Sequence, residues 1–351
     1  MGHAPGIDDQ ALERLEAVMR EQGATKPAEN LSVSLISGGR SNLTYAVDTP
    51  TQRWVLRRPP LGHVLSTAHD MEREYRVLRS LGTAGVSVPV PATTFFCGDE
   101  QVLGAPFYVM ERVDGDVLRT DVEALSLPPS QQEGVANDLI DVLASLHTVD
   151  PDSVGLSDFG RPAGFMTRQV SRWTRQLDAS RSRELRGVDT LAERLGTSVP
   201  EQRYSSIIHG DYRLDNCLVR DGAVAAVLDW EMATLGDPLS DLGLFTVYYS
   251  GLSGLDNPVV QAIDGLGSFP PVGHLIERYS TQTGHDVADL SWYTAFAWFK
   301  FAVILEGIHY RSTLGATRGD GFEGVAELVQ PSIDKGLEAL SNRPQTHAGQ
   351  P

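Results

Sequence analysis

His209-Gly210-Asp211-Tyr212-Arg213-Leu214-Asp215-Asn216 is the stretch that decides the fold. It runs on through Cys217-Leu218-Val219, Arg220-Asp221-Gly222 and the apolar Ala223 to Leu228, ending in Asp229-Trp230-Glu231. Asp221-Gly222 between two apolar runs is a strong hairpin signal, because a two-residue type I′ turn needs positive φ at both central positions. A turn centred there sets Arg220 opposite Ala223 and Asn216 opposite about Val227. The open end of the hairpin then gathers three oxygen-bearing side chains: Asp211, Asn216 and Asp229.

Oxygen donors without cysteine, and without a nearby histidine pair, suit a hard cation such as Mg²⁺. Magnesium is usually held by one or two protein oxygens together with substrate phosphates, and Asn216 with Asp229 fits that role. Asp211 then remains free to orient a hydroxyl and accept its proton. The pattern matches a hydroxyl attacking a nucleotide γ-phosphate, where catalysis is mostly positioning and charge neutralisation.

Outward from this segment, the 351 residues suggest two domains or one large two-lobed one. With 41% hydrophobic and 21% charged residues, a sizeable core is available and wholesale disorder is excluded. The formal net charge of −17 argues against a surface built for nucleic-acid phosphates or an anionic membrane. The two cysteines, Cys97 and Cys217, are too few for a disulfide framework or a zinc site. No signal peptide, myristoylation signal or apolar run long enough to span a bilayer is visible, so the expectation is a cytoplasmic protein. Only Lys26, Lys300 and Lys335 are lysines.

Residues 8–22 read as an amphipathic helix with Leu12, Leu15 and Met19 on one face. β-rich segments follow at Ser32 to Ile36, Leu43 to Val47 and Trp54 to Arg57. Residues 69–81 read as a helix, and a strand pair covers about 92–97 and 106–113. Beyond Asp114-Gly115 the texture turns helical, including a helix at about 131–148. The expectation is an α+β fold: a small antiparallel-sheet lobe over 1–113 with one inward helix, a helical lobe over 114–342 and a flexible tail over 343–351.

His-Gly-Asp-x-x-x-x-Asn with an Asp thirteen residues later resembles the aminoglycoside phosphotransferase family, whose fold is protein-kinase-like. Leu56-Arg57-Arg58-Pro59-Pro60 and Gly155-Leu156-Ser157-Asp158-Phe159-Gly160-Arg161-Pro162 resemble more narrowly the branch fused to acyl-CoA dehydrogenases or standing alone in actinobacteria. The resemblance covers about residues 30–315. It implies Asp211 as catalytic base, Asn216 and Asp229 as magnesium ligands, and ATP or GTP as co-substrate. Arg213 could reach the γ-phosphate, whereas His209 reads as a loop-packing residue. Asp237 reads as a helix cap before Pro238, and Asp241 as a brace of the catalytic loop.

In the first lobe, Ser37, Gly38, Gly39, Ser41 and Asn42 form a small-residue turn between strands, able to lie over phosphates. The resemblance places Arg57 where related enzymes carry a phosphate-holding lysine. Arginine pairs bidentately with phosphate, so the exchange is chemically reasonable but not equivalent. Glu74 points inward from its helix and needs a cation, which Arg57 supplies. Phe107 to Gly115 resembles the strand that becomes the lobe hinge, which implies adenine contacts from Met110, the Glu111 carbonyl and the Val113 N–H.

The implied activity is that of a small-molecule kinase with an alcohol acceptor. The alternative is a nucleotide-binding regulatory module that transfers no phosphate, supported only by the missing lysine. Acceptor contacts are expected from Phe165, Arg168, Trp173 and Arg175, and from Glu306, His309 and Arg311. The family name implies an aminoglycoside and the narrower branch a hydroxyacyl or other metabolic hydroxyl. The arginines fit an anionic acceptor better. Gly319-Asp320-Gly321-Phe322-Glu323-Gly324 matches a dinucleotide motif, but no convincing strand precedes it.

Overall fold

The structure, a computed structural model, describes residues 5–26, 29–38, 42–61, 70–252, 262–314 and 324–342. Gly39, Ser41, the tail after 342 and all of the 319–324 motif except Gly324 lie outside the described residues. Ser37 and Gly38 are described as backbone alone.

Helix α1 (Asp9–Glu21) starts where the Asp8 carboxylate accepts the Ala11 N–H at 2.8 Å, and it buries Leu15 and Met19. Strands β1 (Ser32–Gly38), β2 (Leu43–Asp48) and β3 (Arg53–Arg58) form an antiparallel meander. Helix α2 (Met71–Thr83) follows, then β4 (Thr93–Cys97), the short α3 (Glu100–Leu103) and β5 (Phe107–Glu111). All five strands make one antiparallel sheet in the order β1-β2-β3-β5-β4.

Period-2 alternation on β3 sends its side chains to two cores. Trp54 and Leu56 join Leu15 and Met19 beneath α1, whereas Val55 joins Met71, Val77, Leu78 and Leu81 of α2. That second core continues without a break into the helical part of the chain. After β5 the chain leaves the sheet and exchanges two backbone hydrogen bonds between Asp116 and Val219, of 2.8 and 2.9 Å.

The remainder comprises α4 (Asp121–Leu125), α5 (Pro129–Thr148), α6 (Phe165–Ser180) and α7 (Val188–Thr197). Then come β6 (Ser206–Ile208), β7 (Cys217–Arg220), β8 (Ala223–Val227) and β9 (Thr234–Gly236). Helices α8 (Leu239–Ser250), α9 (Val272–Thr283), α10 (Leu290–Thr313) and α11 (Val325–Ser341) complete it. The expected two-lobed α+β architecture is the one observed. No helix among the described residues is long and apolar enough to cross a membrane.

The hairpin of β7 and β8 turns at Asp221 (φ 54°) and Gly222 (φ 80°), the positive-φ pair that a type I′ turn requires. Its register differs from the expected one by one residue. Arg220 faces Ala223 and Val219 faces Val224, but Leu218 faces Ala226. The extra residue is a β-bulge, and Cys217 rather than Asn216 comes to lie opposite Val227. Asn216 O instead accepts the Leu228 N–H at 2.8 Å, directly before Asp229.

Candidate active site

The loop between β6 and β7 is fastened from below. Asp241 on α8 accepts the His209 N–H through Oδ2 at 2.6 Å and the Gly210 N–H through Oδ1 at 2.9 Å. Burial works against the charge of Asp241, but the hydrogen bond and field of His147 hold its carboxyl below the ordinary range. Gly210 has φ +85°, and a Cβ there would meet Met232 Cβ and O at 2.9 Å, so the position needs glycine. His209 is fully buried beside Trp230, with ring centroids 4.7 Å apart. Its Nδ1 accepts the Asp211 N–H at 3.2 Å, which leaves Nε2–H to donate to the Leu228 carbonyl at 2.8 Å. The histidine therefore ties the loop to the end of the hairpin. Asp237 accepts the Leu239 N–H at 3.1 Å and the Tyr293 hydroxyl at 2.7 Å, a helix-start role.

Asp211 projects from this loop with both oxygens engaged. Oδ1 accepts the Tyr248 hydroxyl at 2.9 Å and Oδ2 accepts Asn216 Nδ2–H at 3.0 Å. Burial opposes its charge, yet Arg213, Lys300 and the Tyr248 hydroxyl together keep its carboxyl below the usual carboxylate range. Arg213 does not reach outward. Its Nη2 lies 3.0 Å from Asp215 Oδ2, its Nε lies 3.6 Å from Asp211 Oδ2, and its guanidinium stacks over the Tyr248 ring at 5.0 Å. Arg213, expected to be able to reach the γ-phosphate, is held here between two flanking carboxylates. Asp215, pressed by burial and helped only partly by Arg213, has its pKa pushed up to about 6.

Asp229 closes the triad at the end of β8. It sits in the left-handed region (φ 62°, ψ 60°), a conformation that costs a non-glycine residue on the order of 1–3 kcal/mol and tends to persist at functional positions. Its Oδ1 accepts Arg57 Nη2–H at 3.0 Å, and Arg57 Nη1 lies 3.3 Å from Glu74 Oε1. Arg57 therefore bridges the inward glutamate of α2 and the aspartate of the hairpin. Burial pushes the Glu74 carboxyl up and Arg57 opposes it. Arg57 itself stays charged, held so by Glu74, Tyr108 and Asp229 against its own burial.

For magnesium, the donor chemistry fits. Asn216 spends its Nδ2–H groups on Asp211 O and Oδ2, which turns Oδ1 into the remaining donor atom. Asp229 is a third exposed, and Arg57 takes only its Oδ1. No group of three or more His, Cys, Asp or Glu able to hold a metal occurs among the described residues. A magnesium bound mainly by phosphates needs no such group.

Between the lobes, Asn42 is buried and its Nδ2–H donates to Glu231 Oε2 at 3.2 Å. This contact reaches from the first lobe to the segment after Asp229, so the side chain is committed across the lobes. Met110 is buried in the core, the Glu111 side chain is exposed and Val113 is partly buried.

A cavity of about 640 Å³ opens beside Gly210 and Asp241. Phe165, Arg168 and Trp173 line it, as do Arg73, Arg161, Arg172 and Lys300. Glu306, His309 and Arg311 do not. Glu306 is fully buried and accepts hydrogen bonds from Ser182 Oγ and Arg183 Nε, both at 3.1 Å, which makes it a brace of the α6–α7 connection. Its helix, α10, reaches the cavity one to three turns earlier, at Phe296, Ala297 and Lys300. Arg175 lies on the exposed face of α6.

The sequence reading missed Lys300 and Tyr248. Lys300, far along the chain from the catalytic segment, donates its Nζ–H to the Gly210 carbonyl at 3.1 Å. Tyr248 carries no local signal, because α8 is apolar on nearly every face.

The model of the phosphotransferase enzyme family matches residues 32–271. Acyl-CoA dehydrogenase family member 11 of Gallus gallus is 35% identical over 345 residues, covering 96% of this chain and 44% of that protein. The Homo sapiens protein of the same name is 33% identical, covering 94% and 43%. The chain thus spans less than half the length of these relatives. A Ralstonia eutropha protein provisionally described as an aminoglycoside phosphotransferase has a crystal structure that superposes with a TM-score of 0.83 at 32% identity. The match covers 95% of this chain and 99% of that one. A mutant of aminoglycoside phosphotransferase APH(4)-Ia, in complex with ADP and hygromycin B, shares the fold at a TM-score of 0.58 and 14% identity, covering 95% and 99%.

Proposed function

This chain belongs to the phosphotransferase enzyme family, and from that premise we propose that it is a small-molecule kinase moving the γ-phosphate of ATP or GTP onto a hydroxyl. The observation that carries the reading is that Asn216 meets Asp211 through its side chain and holds Leu228, next to Asp229, through its carbonyl, while Arg57 reaches Asp229 from the other lobe. Arg57, oriented by Glu74, pairs with phosphate oxygens. Asn216 Oδ1 and Asp229 would hold Mg²⁺, whose charge would offset that of the phosphates. Asp211, kept ionised by its neighbours, orients the acceptor hydroxyl and takes its proton. Ser37, Gly38 and Asn42, with the hinge backbone from Met110 to Val113, complete the nucleotide site.

The acceptor enters the cavity beside Gly210. Five cationic side chains line it against Glu231 and Asp241, both already engaged. That balance favours an anionic metabolite hydroxyl, a hydroxyacyl compound among them, over a cationic aminoglycoside. The test is a phosphate-transfer screen of aminoglycosides, hydroxy acids and hydroxyacyl thioesters, run beside Asp211→Asn. Loss of the carboxylate should lower transfer about 10²–10⁴-fold. Full activity in that variant refutes the reading. Nucleotide binding with no turnover dependent on Asp211 would instead mark a regulatory module.

A further inference from the structure

The cations of the cavity are not equivalent. Arg168 donates to the Ala163 and Arg161 carbonyls, and Arg73 to the Phe159 and Ala233 carbonyls, so both are spent on the backbone. Arg161 and Arg172 are exposed at the rim, where a charge contributes little. Lys300 differs from all four. It is partly buried on the cavity wall, its ammonium lies 5.6 Å from the centroid of the Trp173 ring, and its one hydrogen bond among the described residues goes to the Gly210 carbonyl.

An ammonium carries three N–H donors, and one is used. No carboxylate among the described residues lies within ion-pair distance of it. The two carboxylates whose field it feels are saturated elsewhere: Asp211 by Tyr248 and Asn216, Asp241 by the His209 and Gly210 N–H groups and by His147. Two of its N–H donors therefore have no hydrogen-bond partner among the described residues, and shielding a charged group is costly unless a ligand satisfies them. The cavity is the side from which that ligand can arrive.

We propose that Lys300 is the cation that reads the acceptor: its Nζ takes an anionic oxygen placed a few bonds from the hydroxyl that Asp211 orients. This rests on the kinase reading above and adds the charge and the position of the acceptor's second recognised group. Gly210 and Asp211 are adjacent, with Cα atoms about 3.8 Å apart, so an oxygen on Lys300 and a hydroxyl at Asp211 belong to one small molecule. Trp173 shields the ammonium from above and strengthens whatever it binds.

The test uses glycerate, glycerol phosphate, glycerol and kanamycin as acceptors with ATP and magnesium, in wild type, Lys300→Met and Lys300→Arg. Wild type should use glycerate or glycerol phosphate about tenfold better than glycerol or kanamycin, judged by kcat/KM. Preference between the two anions distinguishes a carboxylate from a phosphate. Lys300→Met should raise KM for the anion about tenfold and erase the preference, and Lys300→Arg should restore part of it. A brace of the loop alone would instead lower kcat for every acceptor alike. Wild type using glycerol as well as the anions overturns the inference even if Lys300→Met does not fold, and so does a Lys300→Met variant that keeps the preference. If wild type transfers to neither anion while its nucleotide hydrolysis still depends on Asp211, this inference fails and the kinase reading stands. If hydrolysis does not depend on Asp211, the kinase reading itself falls.

Discussion

At the residue scale, Arg57 shows why a change of cation is not neutral. A lysine presents one point of charge, whereas the guanidinium fork reaches Glu74 with Nη1 and Asp229 with Nη2 at once. Its side chain is 11% exposed and that of Glu74 is 1% exposed, so removing one partner strands a buried charge. Arg57→Met should therefore destabilise the fold by about 3–5 kcal/mol, read by denaturant unfolding. Adding Glu74→Met should recover part of that loss. If the double variant is no more stable than the single one, the pair is not what holds the site together. Both residues were legible in the sequence, because strand alternation aims Arg57 and helical spacing turns Glu74 inward. Lys300 and Tyr248 were not. Their partners Gly210 and Asp211 lie 90 and 37 residues away, and no local period reports so remote a contact.

Among elements, the β6–β7 loop is the part whose shape is dictated by its supports. Asp241, His209 and the positive φ of Gly210 fix it before any ligand binds. Gly210→Ala should cost about 1–3 kcal/mol of stability, through strained φ and a clash with Met232, and should lower turnover more than it weakens nucleotide binding. Unchanged turnover would show that the loop has room to relax. The same supports extend to a hydrogen-bonded row: Asp241, His147, the Tyr279 hydroxyl and His285 Nδ1, the last contact at 3.1 Å. Burial, with His147 nearby, lowers the His285 pKa to about 4, well below the value of about 6.5 expected in the unfolded chain. Between those values the unfolded state binds more protons, so this group makes stability fall as pH drops from about 6.5 toward 4. His285→Gln should flatten that fall in a series of thermal midpoints. An unchanged slope would locate the titrating group elsewhere. At this scale the hairpin was legible from Asp221-Gly222, but its bulge was not. The Ala223 to Val227 run is small and apolar throughout and carries no mark of which residue stays unpaired.

Across the whole molecule, two lobes share one continuous core and are laced by polar contacts. Among the described residues these include Arg57 to Asp229, Asn42 to Glu231, Arg73 to the Phe159 and Ala233 carbonyls, Arg76 to Asp158 and the Gly155 carbonyl, and the Val227 N–H to the Pro89 carbonyl. The lobes were legible from the change of texture after Asp114-Gly115. The lacing was not, because it joins segments as much as 189 residues apart. Two of those contacts end beside Asp229 or on it, so a nucleotide bound with magnesium bears on the same seam that joins the lobes. Binding to the folded state alone should stabilise it by about 2.7 kcal/mol at a hundredfold excess over Kd, a rise of a few degrees in the thermal midpoint. A non-hydrolysable ATP analogue with magnesium should give that rise in wild type and in Asp211→Asn, because the proposed mechanism has Asp211 serve the acceptor rather than the nucleotide. Asp229→Asn should lose the part that magnesium adds. If Asp229→Asn keeps the full magnesium-dependent shift, the metal is held elsewhere, and the pairing of Arg57 with Asp229 serves only to close the lobes.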